Sequence, residues 1–496
     1  MGNEFYVNVD RTGKNILYRG IDSAGNKVFY EDQFRPTFYI PANKGDNSAF
    51  RTLDGRAVEE INPGTFYECK DFLARYKDVS GFEVYGNTNY VAQYIFEQTG
   101  GEDPAWDASK VDVAIIDIET ECEHGFPDIA TANERVIAIT VIVGDQTWVF
   151  GLGEFNIDRP NTECKTYTSE QTLLTDFMFL WDDIRPEVVT GWNIDFFDIP
   201  YLYNRVERLL GENEAKKFSP WRRVFERTTY SGYSEQQTYD ISGVAVVDYL
   251  RLYKTFTYTN QESYKLDHIC YVELNEKKLS YAEHDSIRTF YQKDFQKFIE
   301  YNIRDVELIQ KLDEKRNLMN LAITLAYSAK VNYDDVFYQL RMWDSIIYHH
   351  LMQKGIVIPQ KEKTGKTSQY VGAYVMEPKI GMHDWIVSFD LASLYPNIIR
   401  QVNISPETMV EDPSEYLLDD HVTVDNLLDR RIDTSTLEEN DLSLAANGQM
   451  FRKETQGFLA ELMEKLYVER KAAKGKMIGY QKEKALIERE IARRAL

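Results

Sequence analysis

The chain has 496 residues, 43% hydrophobic and 13% aromatic, with 57 basic against 80 acidic side chains for a formal charge of −23. That length is too great for one ordinary domain and the apolar share is that of globular proteins, so wholesale disorder is excluded and three or four cores are expected. No run approaches the roughly 18 to 20 apolar residues of a membrane span, and the opening MGNEFYVNVD carries neither a signal-peptide pattern nor a myristoylation signal, so a soluble, cytoplasmic protein without a membrane partner is expected.

Residues 1–104 alternate β-type runs (EFYVNVD, NILYRGID, KVFYEDQFRPTFYIP) with turn residues and read as a strand-rich module, closed by Gly100-Gly101-Glu102-Asp103-Pro104. From about residue 111 come three strands (VDVAIIDIET, RVIAITVIVGD, TWVFGLG), an amphipathic helix over 170–183, a short buried strand (EVVTGWN) and a helix (IPYLYNRVERLL), the grammar of an α/β domain. Residues 222–243 predict a β-hairpin around Tyr230-Ser231-Gly232-Tyr233, and 293–329 predict a long helical region. The segment 331–366 is expected to return to the N-terminal module, a strand-led unit is expected from near Ser368, and a helix rich in strong formers runs from Phe458 to the end. The four cysteines (Cys69, Cys122, Cys164, Cys270) lack zinc or CxxC spacing and are expected to be free thiols.

Three short patterns carry chemistry. In Asp117-Ile118-Glu119 the acids are two apart at the end of an apolar strand and so project from one face. Like charges held together invite a divalent cation, although an isolated DxE also describes a solvent-facing strand end. Gly191-Trp192-Asn193 leads to Asp198 ahead of Ile199-Pro200, where Asp198 is either a helix cap or a ligand. Tyr301 and Asp305, four apart on a helix, share a face and are either part of the same site or a surface pair.

The ordered set Asp117/Glu119, Asp198 and Tyr301/Asp305 resembles the three exonuclease motifs of family B DNA polymerases, and Asp248-Tyr249 with Asn260-Gln261-Glu262-Ser263-Tyr264 is similar to the T-even-phage branch. The resemblance implies an α/β multidomain fold: an N-terminal strand-rich domain (1–104), a ribonuclease-H-like 3′→5′ exonuclease domain with a mixed sheet (105–330), the return segment (331–366), a partial palm (367–452) and a partial fingers helix (453–496). It implies four carboxylates holding two Mg²⁺ or Mn²⁺ ions, a water-orienting Tyr301, and Phe126 of Gly125-Phe126-Pro127 stacking on an unpaired primer end, unless that ring is simply packed in a core. The hairpin falls where that branch has a strand-separating loop.

Ser388-Phe389-Asp390-Leu391-Ala392-Ser393-Leu394-Tyr395-Pro396 resembles the family's first polymerase motif, a strand ending in a metal-binding acid and turning into a helix. By that resemblance Asp390 and the Leu391 carbonyl bind metal, the Ser393 and Leu394 amides and Tyr395 meet a dNTP, and Arg470 and Lys474 grip its triphosphate. Tyr370 and Gly372 of Tyr370-Val371-Gly372-Ala373 match a DNA-binding linker between the two sites. The family's NSLYG and DTD motifs occur nowhere in the sequence. The expectation is therefore a truncated or split enzyme: a proofreading exonuclease acting on single-stranded 3′ ends and primer-template DNA, with polymerisation requiring a second polypeptide and clamp binding left to the missing C-terminal part.

Charge adds a local signal. Residues 411–441 hold eleven acids and two arginines, whereas 452–496 hold twelve Lys or Arg against seven Glu, which concentrates phosphate-binding capacity near the C-terminus. The contrasting function class is a catalytically inactive DNA-binding scaffold of a replisome, which has no need of converging acids.

Overall fold

The protein, seen as a computed structural model, is described over residues 4–42, 48–77, 79–123, 125–231, 234–360, 375–412, 416 and 422–495. Tyr370 and Gly372 and the expected strand start near Ser368 lie outside the described residues. The chain forms two compact units, one drawn from residues 1–43 and 59–360, the other from 44–58 and 361–496.

The N-terminal runs pair as an antiparallel sheet of Phe5–Arg11, Ile16–Ile21 and Lys27–Asp32. Residues from Phe5 to Val9 and from Ile16 to Ile21 are buried throughout rather than on alternate positions, because both faces of these strands are covered. Arg19, 3% exposed, is the polar tie to the next domain: its guanidinium donates to Glu187 Oε1 (2.6 Å) and to the carbonyls of Pro186 (2.8 Å) and Gly243 (2.7 Å). Such a fully paired buried charge is strongly destabilising to break from one side. Residues 331–360 come back onto this module, where Asn332 exchanges two hydrogen bonds with the Val9 backbone, both at 2.9 Å, and Tyr85 bridges Pro359.

The second sheet has six strands in the order Thr162–Thr166, Gln146–Gly151, Val136–Val143, Val113–Thr120, Val188–Thr190, Ala245–Val246. The three middle strands pair antiparallel and the outer neighbours pair parallel, so the sheet is mixed. Val113–Thr120 is interior, and its residues sort by parity. Ile116 and Ile118 pack with the helices Glu170–Ile184 and Asp198–Leu210, whereas Asp117 and Glu119 take the other parity, on the side where Ile137 packs with Phe298, Tyr301 and Ile303 of the helix Phe295–Arg316.

The expected helical region over 293–329 is present as two helices. Phe295–Arg316 ends at Asn317, whose φ of 54° is left-handed, and Leu318–Ala329 begins after it. Asn tolerates that conformation, and the Asp313 carboxylate accepts from the Met319 amide at 2.9 Å to hold the corner. The expected hairpin is present as Val224–Ser231 paired with Ser234–Ile241.

In the second unit a hairpin (Leu442–Leu444, Met450–Arg452) and a helix Leu394–Val402 meet the 38-residue helix Phe458–Ala495. Asn403, left-handed at φ 61°, staples them: its amide donates to the carbonyls of Arg452 (2.6 Å) and Thr455 (2.8 Å), and its oxygen accepts from Gly457 N (2.9 Å). Glu407 Oε1 accepts from Phe458 N at 2.6 Å, placing negative charge at the positive end of the long helix. The strand expected to lead into Asp390 does not form: residues 375–391 carry no strand and are exposed. A strand exists only by pairing with a neighbour, and among the described residues none lies beside this segment.

Candidate active site

The cleft is built from the middle of the mixed sheet outward. Asp117 pairs with Thr140 and Glu119 with Ala138 across the adjacent strand, and the register shifts between Glu119 and Thr120, a bulge of the kind that re-aims side chains at functional edges. Asp305, 2% exposed, comes in from the Phe295–Arg316 helix, and ligand atoms of Asp117, Glu119 and Asp305 all lie within 4.8 Å of one another. It is the only such trio of His, Cys, Asp or Glu among the described residues. Asp305 Oδ1 is buried with no hydrogen-bond partner.

Asp198 approaches but stands outside that trio. It is the first residue of its helix, 4% exposed, with Phe197 at the cap position, and its Oδ1 accepts from Ile118 N at 3.1 Å. Asp198 is thus not the cap residue, since Phe197 holds that position and the carboxylate reaches across to the neighbouring strand. Gly191 allows this approach: a Cβ there would lie 2.5 Å from the Ile116 carbonyl oxygen and 2.4 Å from the Ile194 side chain. Trp192 Nε1 donates to the Tyr264 carbonyl at 3.1 Å, and Asp248 accepts from the Asp195 amide at 3.2 Å, so the segments of the second pattern are tied to 248–264.

Tyr301 is 8% exposed and is not on a surface helix face. Between it and Asp305 sits Lys278, whose ammonium contacts the Asp305 carboxylate and donates to the Tyr301 hydroxyl at 2.9 Å. Asn302, fully buried, donates to Asp117 Oδ2 at 2.7 Å and accepts from Thr140 Oγ1 at 2.5 Å. Neither Lys278 nor Asn302 was expected. Asn302 and Asp305 are three apart on one helix, a spacing that could have revealed the first; Lys278 lies in a loop after the helix Leu266–Leu274 and carries no periodic signal. Phe126, the expected stacking residue, is 83% exposed with its ring centroid 5.3 Å from that of Phe197, which removes the packed-core alternative.

The electrostatics follow from burial and crowding. Burial first, then Asp305, Asp198 and Glu119, push the Asp117 carboxyl well above its ordinary range. Burial and then Asp305 push Glu119 up to about 8, and burial pushes Asp198 up to about 7. Asp305 rises only to about 6, because Lys278 opposes the effect of burial. Burial works against the Lys278 charge, but Asp305, Tyr301 and Asp117 more than offset it and hold the ammonium protonated. Carboxyls that resist ionisation until a cation arrives, one of them with an oxygen lacking any partner, suit a hard divalent ion with oxygen ligands. Beside the trio a cavity of about 760 Å³, lined by Trp192, Tyr264, Lys265, Lys277 and Tyr281 among others, leads to Asp117 and Tyr301.

The second unit gathers less. Asp390 and Leu391 lie on the exposed strandless segment, Ser393 is left-handed (φ 52°) at the start of Leu394–Val402, and Tyr395 is 72% exposed. Arg470 and Lys474 are exposed on the Phe458–Ala495 helix and make no ion pair with Asp390. Arg400, linked to Glu464 at 2.9 Å, packs Leu394–Val402 on that helix. All four cysteines are free, and among the described residues no helix is long and apolar enough to cross a membrane.

Comparison with known proteins agrees with this geometry. Residues 58–269 match the family described as DNA polymerase family B, exonuclease domain, and residues 338–492 match DNA polymerase family B. The chain is 31% identical to the DNA-directed DNA polymerase of Escherichia phage RB69 over 511 residues, covering 98% of this chain and 55% of that protein. It is 32% identical to the DNA-directed DNA polymerase of Enterobacteria phage T4, covering 96% and 54%, and 27% identical to the DNA polymerase delta catalytic subunit of Schizosaccharomyces pombe, covering 72% and 33%. The chain spans about half the length of the two phage relatives. By its paired family matches and its likeness to the phage enzymes along nearly its whole length, this chain belongs to the family B DNA polymerases.

Proposed function

We propose that the chain is the N-terminal portion of a replicative DNA polymerase and acts as a 3′→5′ proofreading exonuclease through the Asp117–Glu119–Asp305 cleft. The observation that carries this is the convergence of the three carboxylates around the unpartnered Asp305 oxygen. Asp117, Glu119 and Asp305, with Asp198 beside them, would hold two Mg²⁺ or Mn²⁺ ions. Bound there, the ions would supply an activated water and a counter-charge for the leaving 3′-oxygen. The protein's own groups do the placing. Asn302 fixes the Asp117 carboxylate, Lys278 fixes Asp305, and because Lys278 donates to the Tyr301 oxygen, the phenol O–H is left to donate a hydrogen bond that would orient the attacking water. Phe126 offers an exposed face for the last base of a single-stranded end.

Incubating the chain with 5′-labelled single-stranded DNA and Mg²⁺ tests this: mononucleotides should leave the 3′ end, and Asp117→Ala should abolish their release. No release at all would leave the inactive-scaffold alternative standing, and release undiminished by Asp117→Ala would reject this cleft as its source.

For nucleotide addition, Asp390 and Leu391 would bind metal, and Ser393, Leu394, Tyr395, Arg470 and Lys474 would meet the dNTP, once the rest of palm, fingers and thumb is supplied. Asp390 belongs to no trio of ligating groups among the described residues, and in-line phosphoryl transfer by two ions needs more than one carboxylate. Primer extension by the chain alone should therefore be negligible.

A further inference from the structure

Away from the carboxylate cleft, a cavity of about 410 Å³ lies between the first strand, the base of the hairpin and residues 330–345. That volume is within the range of small-molecule sites. Its wall has two characters. One part is aliphatic, with Val9, Val91, Ile95 and Val331; the other carries six aspartates against three arginines and one lysine. The basic groups are already engaged: Arg341 with Asp335 at 2.6 Å, Arg227 with Asp240 at 3.4 Å, Arg251 with Asp195 at 3.7 Å, and Lys330 with Asp103 at 2.6 Å.

Two features are left unanswered by the protein itself. Asn8, 6% exposed in this wall, has a side-chain oxygen with no hydrogen-bond partner, and a buried acceptor left unmatched costs stability until a donor is supplied. Asp334 lies in the same wall, and burial, then the neighbouring Asp335, push its carboxyl up to about 7. Asn8 asks for a hydrogen-bond donor, and Asp334 for a donor that carries positive charge. A single metal ion does not fit, because among the described residues no three ligating groups here come within 4.8 Å of one another.

We propose that this cavity binds a linear aliphatic polyamine, with ammonium groups on Asp334 and on the Asn8 side-chain oxygen and the methylene chain along the aliphatic wall. The ligand would tie the N-terminal strand to the segment around Asp334, more than 300 positions away in sequence. The competing ligand is an anion, since Arg227 also leaves its Nε without a partner. The excess of aspartates decides against it.

The proposal is independent of the nuclease reading and is tested by calorimetric titration of the full chain with spermidine, in saturating Mg²⁺ so that the carboxylate cleft is occupied, against a sodium chloride control of equal ionic strength. Saturable binding at one site is expected, weakened about tenfold or more by Asp334→Asn and strengthened by Asn8→Asp, whose added charge acts in the opposite direction and guards against a folding artefact. Binding no different from the salt control overturns the proposal. So does equal affinity in both variants, or saturable binding of inorganic phosphate in place of spermidine.

Discussion

Replacing Lys278 by methionine keeps the length of the side chain and removes only the ammonium between Asp305 and Tyr301. With that ammonium in place the Asp305 carboxyl titrates at about 6 and is 2% exposed. At about pH 7.5 it is therefore ionised by about 1.5 pH units, worth about 2 kcal/mol. Without Lys278 the acid stays protonated, and this stabilisation is lost; the neutral form caps the loss below the about 3 to 5 kcal/mol of a buried charge that cannot escape. The sign follows from the direction of the shift. Asp305 in the folded protein titrates above its ordinary 3.8, so its ionisation opposes folding as pH rises, and Lys278 moderates that opposition. The variant should consequently match wild type near pH 5.5 and fall behind by about 2 kcal/mol near pH 7.5, measured by urea unfolding in metal-free buffer. A deficit that is the same at both pH values would refute the reasoning, since it would mean that Lys278 acts through packing alone.

Three further outcomes are expected. Binding of Mn²⁺ should release protons and tighten as pH rises from about 6 to 8, because Glu119, pushed up to about 8, and Asp117 must ionise first; calorimetric heats that do not change with the ionisation enthalpy of the buffer would contradict this. Phe126→Ala should leave unfolding within about 0.5 kcal/mol of wild type, the side chain being 83% exposed, while weakening single-stranded DNA binding by about 1 to 3 kcal/mol. Glu407→Ala should cost about 1 kcal/mol through loss of its bond to the Phe458 amide at the start of the long helix, seen as an earlier urea transition, with Glu407→Gln recovering part of it.

How much the sequence disclosed depended on the range of the forces involved. Asp117 and Glu119 were legible because strand parity is local, and the Tyr301/Asp305 pair because helical spacing is local. The partners that orient them were not. Lys278 reaches its site across 27 positions from Asp305 and Asn302 acts on an acid 185 positions away, and nothing in their own neighbourhoods announces such contacts. Asp198 shows the same limit from the other side: Asp next to Ile-Pro is a sound local signal for a cap, and tertiary packing against Ile118 overrode it. The helical region over 293–329 was legible from its helix formers, while the corner at Asn317, set by a single residue that accepts a left-handed turn, has no such signal. The strand before Asp390 failed for a different reason, since extended propensity becomes a strand only when a neighbour supplies hydrogen bonds.

Asp117 and Glu119 ride on an interior strand paired with Val136–Val143 along its length and with Val188–Thr190 at its Val113–Ile115 end, with the Asp198 carboxylate bonded to Ile118 between the two acids and hydrophobic packing above and below. Few parts of a protein yield less. On the proposed nuclease reading, DNA ends of varied shape would be accommodated at the solvent-facing rim, by Phe126 and the loop bearing Lys277, while the floor stays put. If that reading holds, loosening backbone at the acids would unmake the sheet before it altered the chemistry, whereas changes at the rim would shift which ends are admitted.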